Sequence, residues 1–256
     1  LKNGTLEIVP DHRKNELLQF MKTGLEDFSI SRSRARAGDW GIPVPGDDNQ
    51  VMYAWFDALT NYINTLGFAD DAPNFKKFWA EGEPTHAIGK GITRFHAIYW
   101  PAMLLSAQLP LPKKIVVHGY ITAGGEKMSK SIGNVVSPFT LIEKWGADPV
   151  RYFLLREVPP FEDGDYSDTR FAERYAGDLA HGLGNLVSRS LTLMARKGSV
   201  EIFEGNALAK EISHCLATYD EACASFRFGA ALEAIWGLIT AADRYINETK
   251  PWELIK

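Results

Sequence analysis

Several common chemistries are excluded by what the sequence has little of. Only two of its 256 residues are cysteines, Cys215 and Cys223. They lie eight apart in a helical pattern, with no Cys-x-x-Cys pair. This argues against a disulfide scaffold or a zinc cluster, and reads as core thiols of a reduced, cytosolic protein. There is no Gly-x-x-x-x-Gly-Lys-Ser/Thr, which argues against an ordinary P-loop ATPase. His-Glu-x-x-His and Gly-x-Ser-x-Gly are absent too. No apolar run approaches the length of a membrane span, and the start lacks a basic-then-apolar signal peptide. Positive charge is not in excess: the net charge of −4 argues against a generally basic nucleic-acid binder. Local basic patches remain compatible with it, because phosphate contact depends on where charge lies. What is present, 45% hydrophobic and 23% charged residues, is globular and sufficient for one large or two ordinary domains.

The stretch that organises the chain is Gly124-Gly125-Glu126-Lys127-Met128-Ser129-Lys130-Ser131-Ile132-Gly133-Asn134. Its lysines are flexible point charges, its serines add hydroxyl donors, and its glycines permit backbone conformations closed to other residues. A cationic, donor-rich loop of this kind suits a polyphosphate. Lysines alone would read as a solvated turn; the whole string does not. The preceding run, Lys113 to Ile121, is β-branched and reads as a buried strand delivering the loop to a sheet edge.

This string resembles the Lys-Met-Ser-Lys-Ser signature of class I aminoacyl-tRNA synthetases, in its literal form at Lys127 to Ser131. From about Phe28 onward the flanking segments look like the methionyl-tRNA synthetase family. The resemblance implies ATP binding by Lys127, Ser129, Lys130, Ser131, Gly89 and Val135. Lys127 and Lys130 would be the catalytic groups that neutralise departing pyrophosphate. Val51 to Ile63 reads as a strand followed by a helix capped by Asp57 and running to about Leu66. By periodicity Trp55 and Tyr62 are core aromatics, whereas the resemblance sets Trp55, Ala58 and Tyr62 in a methionine pocket. Thr85 to Gly91 reads as a strand breaking at glycine, with His86 at a strand end. A helix from Thr93 to about Leu105 follows, kinked at Pro101. His96 and Trp100 share a face of that helix. A lone histidine on an apolar helix is more often a satisfied core residue. The resemblance instead makes Phe95, His96 and Trp100 complete the pocket, an aromatic cage suited to a thioether. One departure stands out: the family usually has Gly-Lys-Asp where this chain has Gly89-Lys90-Gly91, and the missing aspartate is associated with the adenosine ribose.

Leu1 to Phe28 has a helical stretch near Glu16–Met21 but no recognisable first strand. It is expected to be the return segment (1–28) of an inserted domain, which makes the chain a fragment. Residues 29–160 are expected to form the second half of a Rossmann-like parallel-sheet α/β domain. Pro159 to Asp165 is expected as a linker, and 161–256 as an all-α bundle. In that bundle Asp168 caps a helix to about Arg196, with Leu179, Leu183, Leu186, Val187 and Met194 on its apolar side. Ala207 to Phe226 and Ala230 to Asn247 are two further amphipathic helices, ended by Lys250-Pro251-Trp252. The polar face with Asn185 and Arg189 would by itself be merely solvated. The Asn185-Leu186-Val187-Ser188-Arg189 segment and Trp252 match the family, however, and the resemblance implies that Asn185, Arg189 and Trp252 read the anticodon.

The implied activity is methionine–tRNA ligase: methionine and ATP, with Mg2+ accompanying the ATP, form methionyl-adenylate, and methionine then passes to tRNA(Met). The implied location is cytoplasmic, with no membrane partner, and this segment carries no metal-ligand set. The residues give no oligomeric state. The family's other signature, His-Ile-Gly-His, is absent. The alternatives are a leucyl-, isoleucyl-, valyl- or cysteinyl-type relative, against which the aromatic set argues, and a non-catalytic tRNA-binding fragment.

Overall fold

The structure, a computed structural model, describes residues 1, 4–38, 40–70, 72–198 and 207–254. The chain divides into two compact units, Leu1–His118 and Gly119–Lys256.

The first unit runs β1 (Glu7–Val9), α1 (Asp11–Lys22), β2 (Ser31–Ser33), the single turn α2 (Arg34–Ala37), β3 (Pro43–Val44), β4 (Asp47–Met52), α3 (Ala54–Asn64), the short α4 (Pro73–Phe75), β5 (Thr85–Gly89), α5 (Trp100–Ser106) and β6 (Lys114–His118). Its main sheet is parallel, ordered β1-β6-β5. The centre of β6 is Ile115-Val116-Val117, a continuous β-branched run buried on both faces as parallel sheets require. Leu17 of α1 and Ala97 and Ile98 of the later helix pack with Ile8, Ile88, Ile115 and Val117 in one core. Two expectations are corrected here. The first 28 residues do contribute a strand, because Glu7–Val9 pairs with Lys114–Val116. The strand ahead of the lysine loop ends at His118 inside this parallel sheet, so it does not deliver the loop.

A smaller antiparallel sheet, ordered β2-β4-β3, leads into α3. The Pro/Gly/Asp stretch expected as a loop holds β3 and the start of β4. Tyr53 is the extended N-cap of α3, and Asp57 lies in its first turn rather than at the cap, where a negative charge still suits the helix dipole. Residues 93–106 form a continuous helical run. The irregularity expected at Pro101 takes the form of a wide π-helical stretch, Phe95–Tyr99, in which Trp100 N–H bonds the Phe95 carbonyl five residues back. Pro101 has no N–H to offer the next turn, so the local ladder is already interrupted there.

The second unit runs β7 (Ile121–Ala123), β8 (Glu126–Lys127), α6 (Pro138–Trp145), α7 (Ala147–Glu157), β9 (Gly164–Tyr166), α8 (Asp168–Arg174), α9 (Asn185–Lys197), α10 (Ala209–Ala224), α11 (Phe228–Thr249) and the short α12 (Pro251–Leu254). β7 is central, antiparallel to β8 and parallel to β9. The segment expected as a linker is therefore partly a strand, and it lies within this unit. Val150, Phe153, Tyr166 and Phe171 form the core beneath the sheet. Ser167, not Asp168, caps α8, its Oγ accepting from Arg170 N–H at 3.3 Å. Between α8 and α9 the helix continues through a π-helical stretch, Tyr175–Gly184, which shifts the phase of everything after it. Leu183, Val187 and Met194, expected on a buried side, are 41%, 45% and 45% exposed, although Leu179, Leu183, Val187 and Leu191 still line one face together. α10 and α11 fold back on each other across a three-residue connection. Among the described residues no helix is long and apolar enough to cross a membrane.

Candidate active site

In the first unit, Trp55, Ala58 and Tyr62 are spaced three and four residues apart on α3, so they share one helical face. Trp55 lies in the first helical turn rather than at a strand end. Its ring stacks on Phe95 at 4.3 Å and 17°, and meets His96 edge-on at 6.3 Å. Ala58 is exposed in a cleft that also contains Trp40, Met52 and Ala54. Trp100 is 1% exposed and packs with Leu59, Ile63, Trp79 and Leu104, so it forms the floor beneath this face.

His96 is 2% exposed and satisfied at both ring nitrogens. Nδ1 is 3.0 Å from the Ile92 carbonyl, which can only accept, so Nδ1 donates. Nε2 is therefore the acceptor and receives the Tyr62 hydroxyl proton at 2.8 Å. Burial lowers the pKa of His96 from the ordinary imidazole range, with the Ile92 hydrogen bond acting in the opposite direction. Burial raises that of the Tyr62 phenol. The arrangement is a neutral, polarizable wall of rings carrying one hydroxyl–imidazole pair, able to enclose an uncharged soft group.

Sequence reasoning left out two residues of this cluster. His86 is 5% exposed, and its ring centroid is 4.2 Å from Tyr62 and 5.8 Å from His96. Its Nε2 is buried without a partner among the described residues. Burial first, and then the neighbouring His96, lower its pKa to about 4. The available signal was alternation: His86 and Ile88 are the inward positions of β5. Phe28 was likewise missed; it stacks on Tyr99 at 4.2 Å and meets Phe95 at 6.5 Å. Gly89 ends β5 opposite His118. Gly91 is exposed and lines a cleft with Glu16, Lys90, Thr93 and Arg94. The carboxylate of that cleft, Glu16, pairs with Arg13 at 2.9 Å.

In the second unit the lysine loop leaves a tight hairpin. Gly124 and Gly125 have φ of 66° and 77°, both left-handed, as a two-residue turn between β7 and β8 requires. Lys127 is the last residue of β8, with Nζ 5.1 Å from the Tyr120 ring. Asn134 closes the loop: its Oδ1 accepts from Ser129 N–H at 2.8 Å, and its Nδ2 donates to the Lys127 carbonyl at 3.3 Å. The Ser129 and Ser131 hydroxyls are 2.7 Å apart. Met128 packs against the core of Val150, Phe153, Tyr166 and Phe171. The loop is thus anchored by one apolar residue, while Lys127 and Lys130 are exposed. Neither lysine has a carboxylate partner among the described residues. Val135 is 51% exposed.

Further along, Arg189 Nη1 donates to Asp243 Oδ1 and Nη2 to Asn247 Oδ1, both at 2.7 Å. Asn247 Nδ2 in turn donates to Asp243 Oδ2 at 3.1 Å. The same guanidinium lies 5.8 Å from the centre of the Trp252 ring, which is 39% exposed. Arg189 is therefore held by α11 rather than simply solvated. Asn185 is exposed one turn before it. Among the described residues no three His, Cys, Asp or Glu side chains are grouped to hold a metal ion.

The family described as tRNA synthetases class I (M) matches residues 2–191. The chain is 48% identical over 254 residues to a methionine–tRNA ligase of Mesorhizobium japonicum, covering 96% of this chain and 48% of that protein. It is 46% identical over 256 residues to the methionine–tRNA ligase of Brucella suis, covering 97% and 49%. Among solved structures, Mycobacterium tuberculosis methionyl-tRNA synthetase in complex with methionyl-adenylate matches with a TM-score of 0.88 and 44% identity, over 98% of this chain and 50% of that one. The chain spans about half the length of the relatives it matches.

Proposed function

The chain belongs to the class I tRNA synthetases of the methionine type, and from that premise we propose that it supplies the second half of a methionine–tRNA ligase. The activity is that of a protein of the relatives' full length: methionine and ATP give methionyl-adenylate and pyrophosphate, then methionine passes to tRNA(Met). Mg2+ arrives with the ATP, and the setting is the cytoplasm. The observation that carries this reading is the Tyr62–His96 pair under the stacked Trp55 and Phe95. An uncharged thioether suits such a site: aromatic faces supply polarizable contact, and one hydroxyl supplies a weak polar partner. The same feature favours methionine over leucine, isoleucine, valine or cysteine.

In this reading Trp55, Ala58, Tyr62, Phe95, His96 and Trp100 form the methionine pocket. Gly89, Ser129, Ser131 and Val135 contact ATP. Lys127 and Lys130 meet the charge that develops on pyrophosphate as the methionine carboxylate attacks the α-phosphorus. No covalent enzyme intermediate is required, so catalysis is positioning and charge stabilisation. Residues 1–28 return from an inserted domain, 29–160 belong to the catalytic domain, and 161–256 present Asn185, Arg189 and Trp252 to the anticodon.

The test is methionine-dependent ATP–pyrophosphate exchange, by this chain alone and by the full-length protein. Exchange by the full-length protein only is expected. Exchange driven by leucine or isoleucine in preference to methionine would overturn the substrate assignment, and robust exchange by the chain alone would overturn its role as a half-site.

A further inference from the structure

The acidic stretch Glu162-Asp163-Gly164-Asp165, with no role in the reading above, wraps around the hairpin that launches the lysine loop. β9 pairs in parallel with β7, setting Thr122 opposite Asp165 and Ile121 opposite Gly164. This close approach depends on glycine: a Cβ at Gly119 would lie 2.0 Å from the Glu162 carbonyl oxygen. Two carboxylates on alternate residues then reach across. Asp163 Oδ1 accepts from Tyr120 N–H at 2.8 Å, just before β7. Asp165 Oδ1 accepts from Thr122 Oγ1 at 2.7 Å and from Gly125 N–H at 2.8 Å.

The second of these is unusual in where it acts. Gly125 is the last residue of the turn, so its N–H belongs to the segment that becomes β8 two residues before Lys127. A hairpin of two- and three-residue strands has little pairing of its own. Its turn is built from two glycines, which give it the largest conformational freedom to lose. A side chain from a third strand that accepts from both β7 and the turn removes that freedom. The hydrogen bonds from Thr122 and from the Gly125 and Gly124 backbone hold the Asp165 carboxyl below the usual carboxylate range. It is therefore charged, and a stronger acceptor, at neutral pH. Asp165 is itself exposed, so its role is not to fill a core.

We propose that Asp165 is a positioning residue for the lysine loop, fixing the Gly124–Gly125 turn through Thr122 and Gly125 and so setting where Lys127 and Lys130 can reach. This rests on the reading that the loop acts on pyrophosphate. Met128 and Asn134 fix the body of the loop, and Asp165 fixes its root. The tie is enthalpically strong but local, so losing it misplaces the lysines without unfolding the unit.

The experiment compares Asp165→Ala, Asp165→Asn and Lys130→Ala in the full-length protein. It reads ATP–pyrophosphate exchange kinetics, methionine affinity by calorimetry, and exchange of the Gly125 amide proton. Asp165→Ala is expected to lower exchange kcat by about 10- to 100-fold, the scale of a misplaced catalytic group. Methionine affinity should be unmoved, and the Gly125 amide should lose protection. Asp165→Asn keeps an acceptor oxygen and should restore most of kcat. Unchanged kcat or unchanged Gly125 protection in Asp165→Ala overturns the proposal. So does a parallel loss of methionine affinity, which would mark a general structural role. If Lys130→Ala abolishes exchange and Asp165→Ala does not, only the role of Asp165 fails. If Lys130→Ala leaves exchange intact, the reading of the loop fails with it.

Discussion

The Tyr62 hydroxyl donates to His96 Nε2 at 2.8 Å, and this direction is set from the other side of the imidazole ring. His96 Nδ1 is committed to the Ile92 carbonyl, one turn back and just ahead of the 93–106 helical run, so the ring has a single tautomer. Tyr62 therefore keeps its oxygen lone pairs for whatever enters the site. A π-helical stretch carries His96, and such stretches recur at functional sites because they re-aim side chains within an otherwise regular helix.

Replacing Tyr62 by Phe removes the donor and leaves a buried acceptor on His96. That unsatisfied group costs stability, about 1–3 kcal/mol in free and liganded protein alike, while binding loses the hydroxyl that faces the ligand. Methionine affinity is expected to fall by about 10-fold or more, with the KM for ATP unchanged. Calorimetric titration of methionine into the full-length variant checks this. Equal weakening of both substrates would show instead that Tyr62 supports the whole unit.

His86 makes stability depend on pH in a definite direction. The unfolded chain binds a proton at this residue near the ordinary 6.5, whereas the folded chain binds it only near about 4. Between those values the unfolded state holds more protons, so stability is lost as pH falls through that window, by on the order of 3 kcal/mol. Thermal melts of the parent chain and His86→Gln at several pH values test it. The advantage of the parent should be largest near neutrality and shrink toward pH 4; a gap that does not vary with pH would contradict the assignment.

In the full-length protein, Lys130→Ala should slow adenylate formation strongly while hardly changing methionine affinity. The lysine has no carboxylate partner among the described residues, so its charge is available to a ligand. Charge on the bridging oxygen develops in the transition state, and removing one stabilising donor costs about 10²- to 10³-fold in rate. Rapid-quench measurement of the first turnover shows this; an unaltered rate would refute the role.

In the full-length protein, Trp252→Ala should weaken tRNA binding and spare adenylate formation. The indole is partly exposed and adjoins the Arg189 guanidinium, itself fixed by Asp243 and Asn247. Loss of one base-stacking surface is worth about 1–3 kcal/mol. Filter binding with tRNA(Met) and pyrophosphate exchange on the same variant separate the two activities. If both fall together, Trp252 is a packing residue.

By itself the sequence determined what is local or periodic. Ile115-Val116-Val117 reads as a buried strand and is one, and Ala58 and Tyr62 read as helical and are, although Trp55 proved to lie on the helix too. The lysine string reads as an exposed loop and is exposed, although Glu126–Lys127 proved to form a short strand. The tertiary structure decided what depends on partners far along the chain. Glu7–Val9 is a strand because Lys114–Val116 pairs with it, and three residues carry too little periodicity to announce that. Gly164–Tyr166 reads as a Gly/Asp linker until Ile121–Ala123 lies beside it. The π-helical stretch ahead of α9 was also decided only in the folded chain, since hydrophobic periodicity assumes a constant turn. Which histidines are neutral was likewise decided only in three dimensions: burial of His86 and His96 comes from the packing of β5, α3 and the 93–106 helix, and a pKa follows its surroundings rather than its neighbours in sequence.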